Sequence, residues 1–215
     1  MALANDPPAI FHSSRPASLV VFDGEPVLAP AGSSGLSFAV NTNWDVFFDP
    51  GSRGWYLLNN GSWFTADSYA GPFKPAASLP PAFHALPSDK NFAEVLKHVP
   101  GKPVKPADAP TIFVSTKPAE IIVTAGPPAL VAIPGTSLQY VANTDSDLFL
   151  DTGNGRFYYL VSGRWFSSTG LNGPWSFATP DLPADFALIP PDGPRGDVLA
   201  SVPGTAEAQQ AVIEA

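Results

Sequence analysis

The sequence predicts a mainly β protein: two homologous small antiparallel β domains, meander-like or barrel-like, in tandem, each with a short C-terminal helical segment, plus a terminal helix. Three observations predict this. The first is repetition within the 215 residues: Asn60-Gly61-Ser62-Trp63-Phe64 aligns with Ser162-Gly163-Arg164-Trp165-Phe166, an offset of 102 from Gly61 to Gly163. Without a gap, that offset also aligns Ile10-Phe11 with Ile112-Phe113, Asn41-Thr42 with Asn143-Thr144, and Gly71-Pro72-Phe73 with Gly173-Pro174-Trp175. One inserted residue then brings Val99-Pro100-Gly101 onto Val202-Pro203-Gly204. The second observation is that 18 glycines and 26 prolines, about a fifth of the chain, permit short strands and turns and forbid long helices. The third is a series of strand-like runs separated by turn dipeptides.

These signals place the first β repeat at 8–103, a proline-rich linker at 104–109, the second β repeat at 110–204, and a C-terminal helix or linker at 205–215. Leu19-Val20-Val21-Phe22 followed by Asp23-Gly24-Glu25-Pro26 reads as strand and turn, as do Ile121-Ile122-Val123 and Ala125-Gly126-Pro127-Pro128. The clearest element is a hairpin from Trp55 to Ala66 turning at Asn60-Gly61, a dipeptide suited to the two positive φ angles of a type I′ turn. A two-residue turn fixes the pairing, so Leu58 faces Trp63 and Tyr56 faces Thr65, with Trp55, Leu57 and Phe64 on the opposite side. Both faces are too apolar for a sheet wetted on one side, which predicts a covering layer on each. Asp89 to Val99 has the apolar spacing of about two helical turns, and its partner Pro194 to Val202 is interrupted by Gly and Pro. Thr205 is an N-cap candidate for the tail.

Composition narrows the function classes. A net charge of −8 without a basic patch opposes nucleic acid and anionic lipid as partners. With no cysteine, disulfides, thiol nucleophiles and thiolate metal sites are excluded. No apolar run approaches the ~20 residues of a membrane span, and Met1-Ala2-Leu3-Ala4 lacks the regions of a signal peptide.

Three constellations could carry chemistry. Aromatic rings, above all Trp55, Tyr159, Trp175 and Phe73, are candidate ligand-binding platforms, because flat rings stack on the C–H faces of sugars; the competing reading is core packing. Asn41, Asn43 and Asp45, matched by Asn143, Asp145 and Asp147, place oxygen ligands at i, i+2 and i+4, as calcium loops begin. Val46 and Leu148 stand where an EF-hand needs glycine, and the competing reading is a turn whose side chains bond nearby backbone. Calcium is thus the one cofactor this pattern suggests, against none at all. Asp45 with Asp49, repeated as Asp147 with Asp151, would lie about 13 Å apart on an extended strand, against about 5 to 9.5 Å for glycoside hydrolysis. His12, His84 and His98 all fall in the first copy and meet Val114, Ala187 and Ser201 in the second, unlike a duplicated metal site or acid–base pair. No nucleophile elbow, phosphate loop or zinc motif is present, which predicts a protein that is not an enzyme.

Tyr158-Tyr159-Leu160-Val161-Ser162-Gly163-Arg164-Trp165-Phe166, Asn172-Gly173-Pro174-Trp175, Val40-Asn41-Thr42-Asn43-Trp44-Asp45 and Val202-Pro203-Gly204-Thr205 together resemble the tandem unit of a group of large, exported bacterial proteins, sometimes labelled carbohydrate-binding family V/XII-like. The chitin-binding class behind that label carries a Trp-Trp pair where this chain reads Trp63-Phe64 and Trp165-Phe166, so no binding residue carries over. The resemblance implies a non-catalytic tandem β-repeat module, secreted, periplasmic or at the cell surface. Its partner is then a glycan or cell-envelope component, or other copies of the repeat. The alternative function is a carbohydrate-binding module acting through exposed aromatics.

Overall fold

The computed structural model describes residues 5–214; Met1-Ala2-Leu3-Ala4, where a signal peptide was sought, lie outside the described residues, as does Ala215. The first repeat carries β1 (Ala9–Ser13), β2 (Ala17–Val21), β3 (Leu28–Pro30), β4 (Ser37–Ala39), β5 (Asp45–Asp49), β6 (Gly54–Asn59), β7 (Ser62–Ala66), β8 (Lys74–Pro75) and the short helix α1 (Ala93–Leu96). The second carries β9 (Thr111–Ser115), β10 (Ala119–Val123), β11 (Leu130–Ala132), β12 (Leu138–Val141), β13 (Leu148–Asp151), β14 (Arg156–Val161), β15 (Arg164–Ser168) and β16 (Ser176–Phe177), and ends in helix α2 (Ala206–Glu214). Strands β3 to β8 form one antiparallel six-stranded meander in chain order, and β11 to β16 form another. The protein is mainly β. Among the described residues no helix is long and apolar enough to cross a membrane.

The central hairpin has the predicted register. Asn60 and Gly61 hold φ of 51° and 84°, Leu58 pairs with Trp63 and Tyr56 with Thr65. Ser162 and Gly163 make the matching turn, with Leu160 opposite Trp165. One face of the first hairpin packs Tyr56, Leu58 and Trp63 with Phe47 and with Phe83 from a 3₁₀ turn at Pro81–Ala85. In the second repeat Tyr158, Trp165, Phe149 and Phe186 make the same cluster. Ring centroids are 4.9 Å apart for both Trp63–Phe83 and Trp165–Phe186, and 5.4 and 5.5 Å apart for Phe47–Phe83 and Phe149–Phe186. Both phenylalanines of the 3₁₀ turns are fully buried; burial of a ring that size stabilises by about 2–3 kcal/mol.

The other face is covered by a two-stranded ribbon. Leu57 and Phe64 pack with Val20 and Phe22 of the β2 region and with Ile112 and Val114 of β9. Tyr159 and Phe166 pack with Ile122 of β10 and Ile10 of β1. β2 runs parallel to β9, from Ala17 opposite Thr111 to Val21 opposite Ser115. β1 pairs with β10, and the chain continues alongside it: Thr124 N donates to Ser13 O at 2.9 Å and Gly126 N to Ser14 O at 2.9 Å. The residues therefore divide into two compact bodies, one of Pro16–Glu120 and the other of Ile121 onward together with the segment up to Arg15. The division expected from the repeat, at 8–103 and 110–204, keeps each first strand with its own repeat. In the structure β1 belongs to the body of the second repeat and β9 to that of the first.

The helical segments are shorter than their apolar spacing predicts. Of Asp89 to Val99, a single turn is α-helical, at Ala93–Leu96, with Phe92 and Val95 buried. In the second repeat Gly196–Ser201 is a 3₁₀ turn that buries Val198 and Leu199, since Pro194 removes a helical donor and Gly193 and Gly196 add a cost in backbone entropy. Thr205 caps α2, its Oγ1 accepting a hydrogen bond from Ala208 N at 3.0 Å.

Candidate functional site

Of the aromatic platform candidates, Tyr159 is only 5% exposed, covered edge-on by Trp175 at 6.0 Å between centroids. Trp175, Trp55 and Phe73 are half-buried. Trp55 leans on Phe48 at 5.0 Å and Tyr69 at 5.8 Å. Trp175 turns its indole Nε1 inward, where no acceptor meets it. Trp63 and Trp165 lie in the cores and donate from Nε1 to His98 O at 2.6 Å and to Ser201 O at 2.9 Å. Trp55 and Phe73 pack in one body, Tyr159 and Trp175 in the other.

The acid–amide ladder is used for loop bonding. Asn41 Nδ2 donates to Asp23 O and Glu25 O, both at 2.9 Å, while its Oδ1 accepts from Val27 N at 2.9 Å. Asn143 repeats all three with Ala125 O, Pro127 O and Ala129 N. Each asparagine thereby clamps the turn after the ribbon strand, satisfying backbone groups that no sheet partner reaches. Asn43 accepts from Val21 N at 2.8 Å and donates to Leu19 O at 3.0 Å. Asp45 and Asp145 point to the exposed surface. Among the described residues no group of three or more His, Asp or Glu side chains could hold a metal ion. Asp49 and Asp151 cap tight turns, accepting from Gly51 N and Ser52 N in one repeat and from Gly153 N in the other. With β5 extended from Asp45 to Asp49, this pair keeps the wide separation that hydrolysis does not use.

One concave feature differs between the repeats. Phe38 and Phe92 stack edge-on at 5.2 Å in the first. The matching residues of the second are Tyr140 and Arg195, with the guanidinium over the ring at 5.7 Å. Arg195 also donates to Val141 O and Thr144 O, each at 3.0 Å, and pairs with Asp147 at 3.5 Å. Burial still dominates at Asp147: it raises the carboxyl pKa, Asp197 raises it further, and Arg195 only partly opposes them. Where a phenylalanine filled the gap, the second repeat leaves a cleft of about 160 Å³ lined by Val131, Ile133, Pro134, Tyr140, Ile189, Pro190 and Arg195, among others. It opens beside β11, an edge strand whose Leu130 and Val131 are each 40% exposed.

An apolar cleft of this size with a guanidinium at its rim can hold one aliphatic or aromatic side chain. It has no nucleophile, no acid–base pair and no ligand set. The sequence reading missed these residues, although one signal was available: at the offset that aligns Val99 with Val202, buried Phe92 falls on Arg195. Comparisons with protein-family models, characterised proteins and solved structures gave no match to this chain.

Proposed function

We propose that the chain is a tandem pair of homologous small β modules, a non-catalytic interaction and structural unit of an exported bacterial protein working in the periplasm, at the cell surface or outside the cell. The observation that carries this reading is the use of the polar and aromatic side chains that chemistry would need. Asn41 and Asn143 clamp turns, Asp49 and Asp151 cap them, and Trp63 and Trp165 pin the following chain. Groups committed to their own backbone in both copies are scaffold. The resemblance to repeated units of exported bacterial proteins supports the location.

In this reading the contact surface is the cleft of the second repeat with the apolar edge at Leu130 and Val131. Its volume falls short of the ~300–1,000 Å³ of small-molecule sites and suits a side chain of a protein partner. Other copies of the repeat are the first partner to test, by sedimentation velocity over a wide concentration range. The expected result is self-association that Val131→Lys abolishes, since an ammonium at the rim cannot enter an apolar contact undesolvated. A chain that stays monomeric at every concentration, or associates equally with lysine at that position, overturns it. Tryptophan fluorescence titrated with chitin and cellulose oligomers should stay flat. A saturable change lost in Trp175→Ala would install glycan recognition instead.

A further inference from the structure

Neither repeat can build its own ribbon. β1 and β2 are joined by Ser14, Arg15 and Pro16 alone, and β9 and β10 by Thr116, Lys117 and Pro118. Parallel strands need a crossover of roughly a dozen residues or more between them, so three residues cannot place β1 parallel to β2. Each short connection is held by matching bonds: Ser13 Oγ donates to Arg15 O and Ser115 Oγ to Lys117 O, both at 2.8 Å. The proline that follows fixes φ and removes a donor. The parallel partner of β2 must therefore come from another repeat, and β9 supplies it. β1 in turn goes to β10, and the exchange is reciprocal.

The two slots are also chemically distinct at one matched position. Beside β1, His12 Nε2 lies 3.1 Å from Thr124 Oγ1. That hydroxyl donates its proton to Gly126 O at 2.8 Å, so the imidazole N–H is the donor to it. The matching pair in the other body is Val114 and Phe22, both in an apolar cluster. Inserting β1 there would set an imidazole against Phe22 with no polar partner, at a cost that buried unpaired polar groups always carry.

We propose that the folding bodies are offset by one strand from the sequence repeats, each slot selecting the first strand of the other repeat, with His12–Thr124 and Val114–Phe22 encoding which strand enters which slot. This requires no functional assignment. The chain's lack of cysteine gives a clean test in the intact chain. A protease recognition sequence is inserted after the exposed Lys105, and Ala17→Cys and Thr111→Cys are placed at directly opposed positions of β2 and β9. After cleavage the halves should remain one species of 22.5 kDa plus the insert in native gel filtration. After oxidation they should also remain covalently joined in a non-reducing denaturing gel.

Halves that separate on cleavage overturn the proposal. So do halves that stay together but keep both thiols free, because association would then come from something other than exchange. Strand identity has its own readout in the cleaved protein. Val114→His should weaken association of the halves several-fold, because the half-buried imidazole meets Phe22 and no polar partner. His12→Val should weaken it much less, since Thr124 keeps its bond to Gly126. Equal effects of the two substitutions would remove the encoding.

Discussion

Asp45 and Asp147 stand at matching positions, and loss of hydration around the carboxyl raises the pKa of each, although Asp45 as a residue stays exposed. At Asp147 the guanidinium of Arg195 opposes the shift. Among the described residues no ion pair includes Asp45. A carboxyl whose folded pKa lies above its unfolded value favours folding while protonated. That contribution is present below the ordinary value of 3.8 and is lost as pH rises through the folded pKa. At neutral pH the ionised Asp45 is therefore a small liability. Asp45→Asn should raise the midpoint of thermal unfolding at pH 7 by about 1–2 °C, the scale of a surface change of about half a kcal/mol in a chain this long. The gain should shrink toward about pH 3, where the wild-type side chain is itself neutral. A gain of equal size at both values would show that charge is not its source.

Among the elements, the central hairpins and the need for a layer over each face were legible in the sequence, and the pairing of the ribbon strands was not. Asn60-Gly61 dictates a two-residue turn, which dictates the register, which puts Tyr56, Leu58 and Trp63 together. That chain of consequences is local and needs only alternation and turn chemistry. Nothing local distinguishes Ile10-Phe11 from Ile112-Phe113 as a neighbour for Val20, so strand exchange could not be read from pattern alone. The cleft was hidden for a related reason: it lies where one repeat has Arg195 in place of buried Phe92, and its lining joins strands β11 and β12 to the distant stretch of Ile189, Pro190 and Arg195. The turn also meets the chain that closes over it. Lys102 N donates to Gly61 O at 2.7 Å, and a Cβ on Gly101 would sit 2.7 Å from both Gly61 O and Trp63 Cδ1. The matching Gly204 has open space around it but φ of +86°. Gly101→Ala should therefore cost about 1–3 kcal/mol through overpacking, and Gly204→Ala about 1–2 kcal/mol through left-handed backbone. Urea unfolding followed by tryptophan fluorescence separates these causes when each is paired with Trp63→Phe. The smaller ring should relieve Gly101→Ala and leave Gly204→Ala unchanged.

On the scale of the whole molecule, the exchange makes the stability of each body a property of both repeats. Loss of the segment Thr111–Ser115 would withdraw Ile112 and Val114 from the layer over Val20, Phe22, Leu57 and Phe64, leaving that apolar face open to water. The first body cannot replace β9 with β1, because three residues do not span a parallel crossover. Each body, once it holds its borrowed strand, has its own sheet, cover and ribbon, so a cavity made deep in one should leave the other unchanged. Phe186 is fully buried against Tyr158 and Trp165, so Phe186→Ala should cost about 3–5 kcal/mol. The effect can be watched from the far body by removing the local reporters with Trp165→Phe and Trp175→Phe, which leaves Trp44, Trp55 and Trp63, all in the body of Pro16–Glu120. In that background Phe186→Ala should lower one circular dichroism transition in urea and leave the fluorescence midpoint in place. A fluorescence midpoint that falls as far as the circular dichroism midpoint, in one transition, would show instead that the two bodies unfold together.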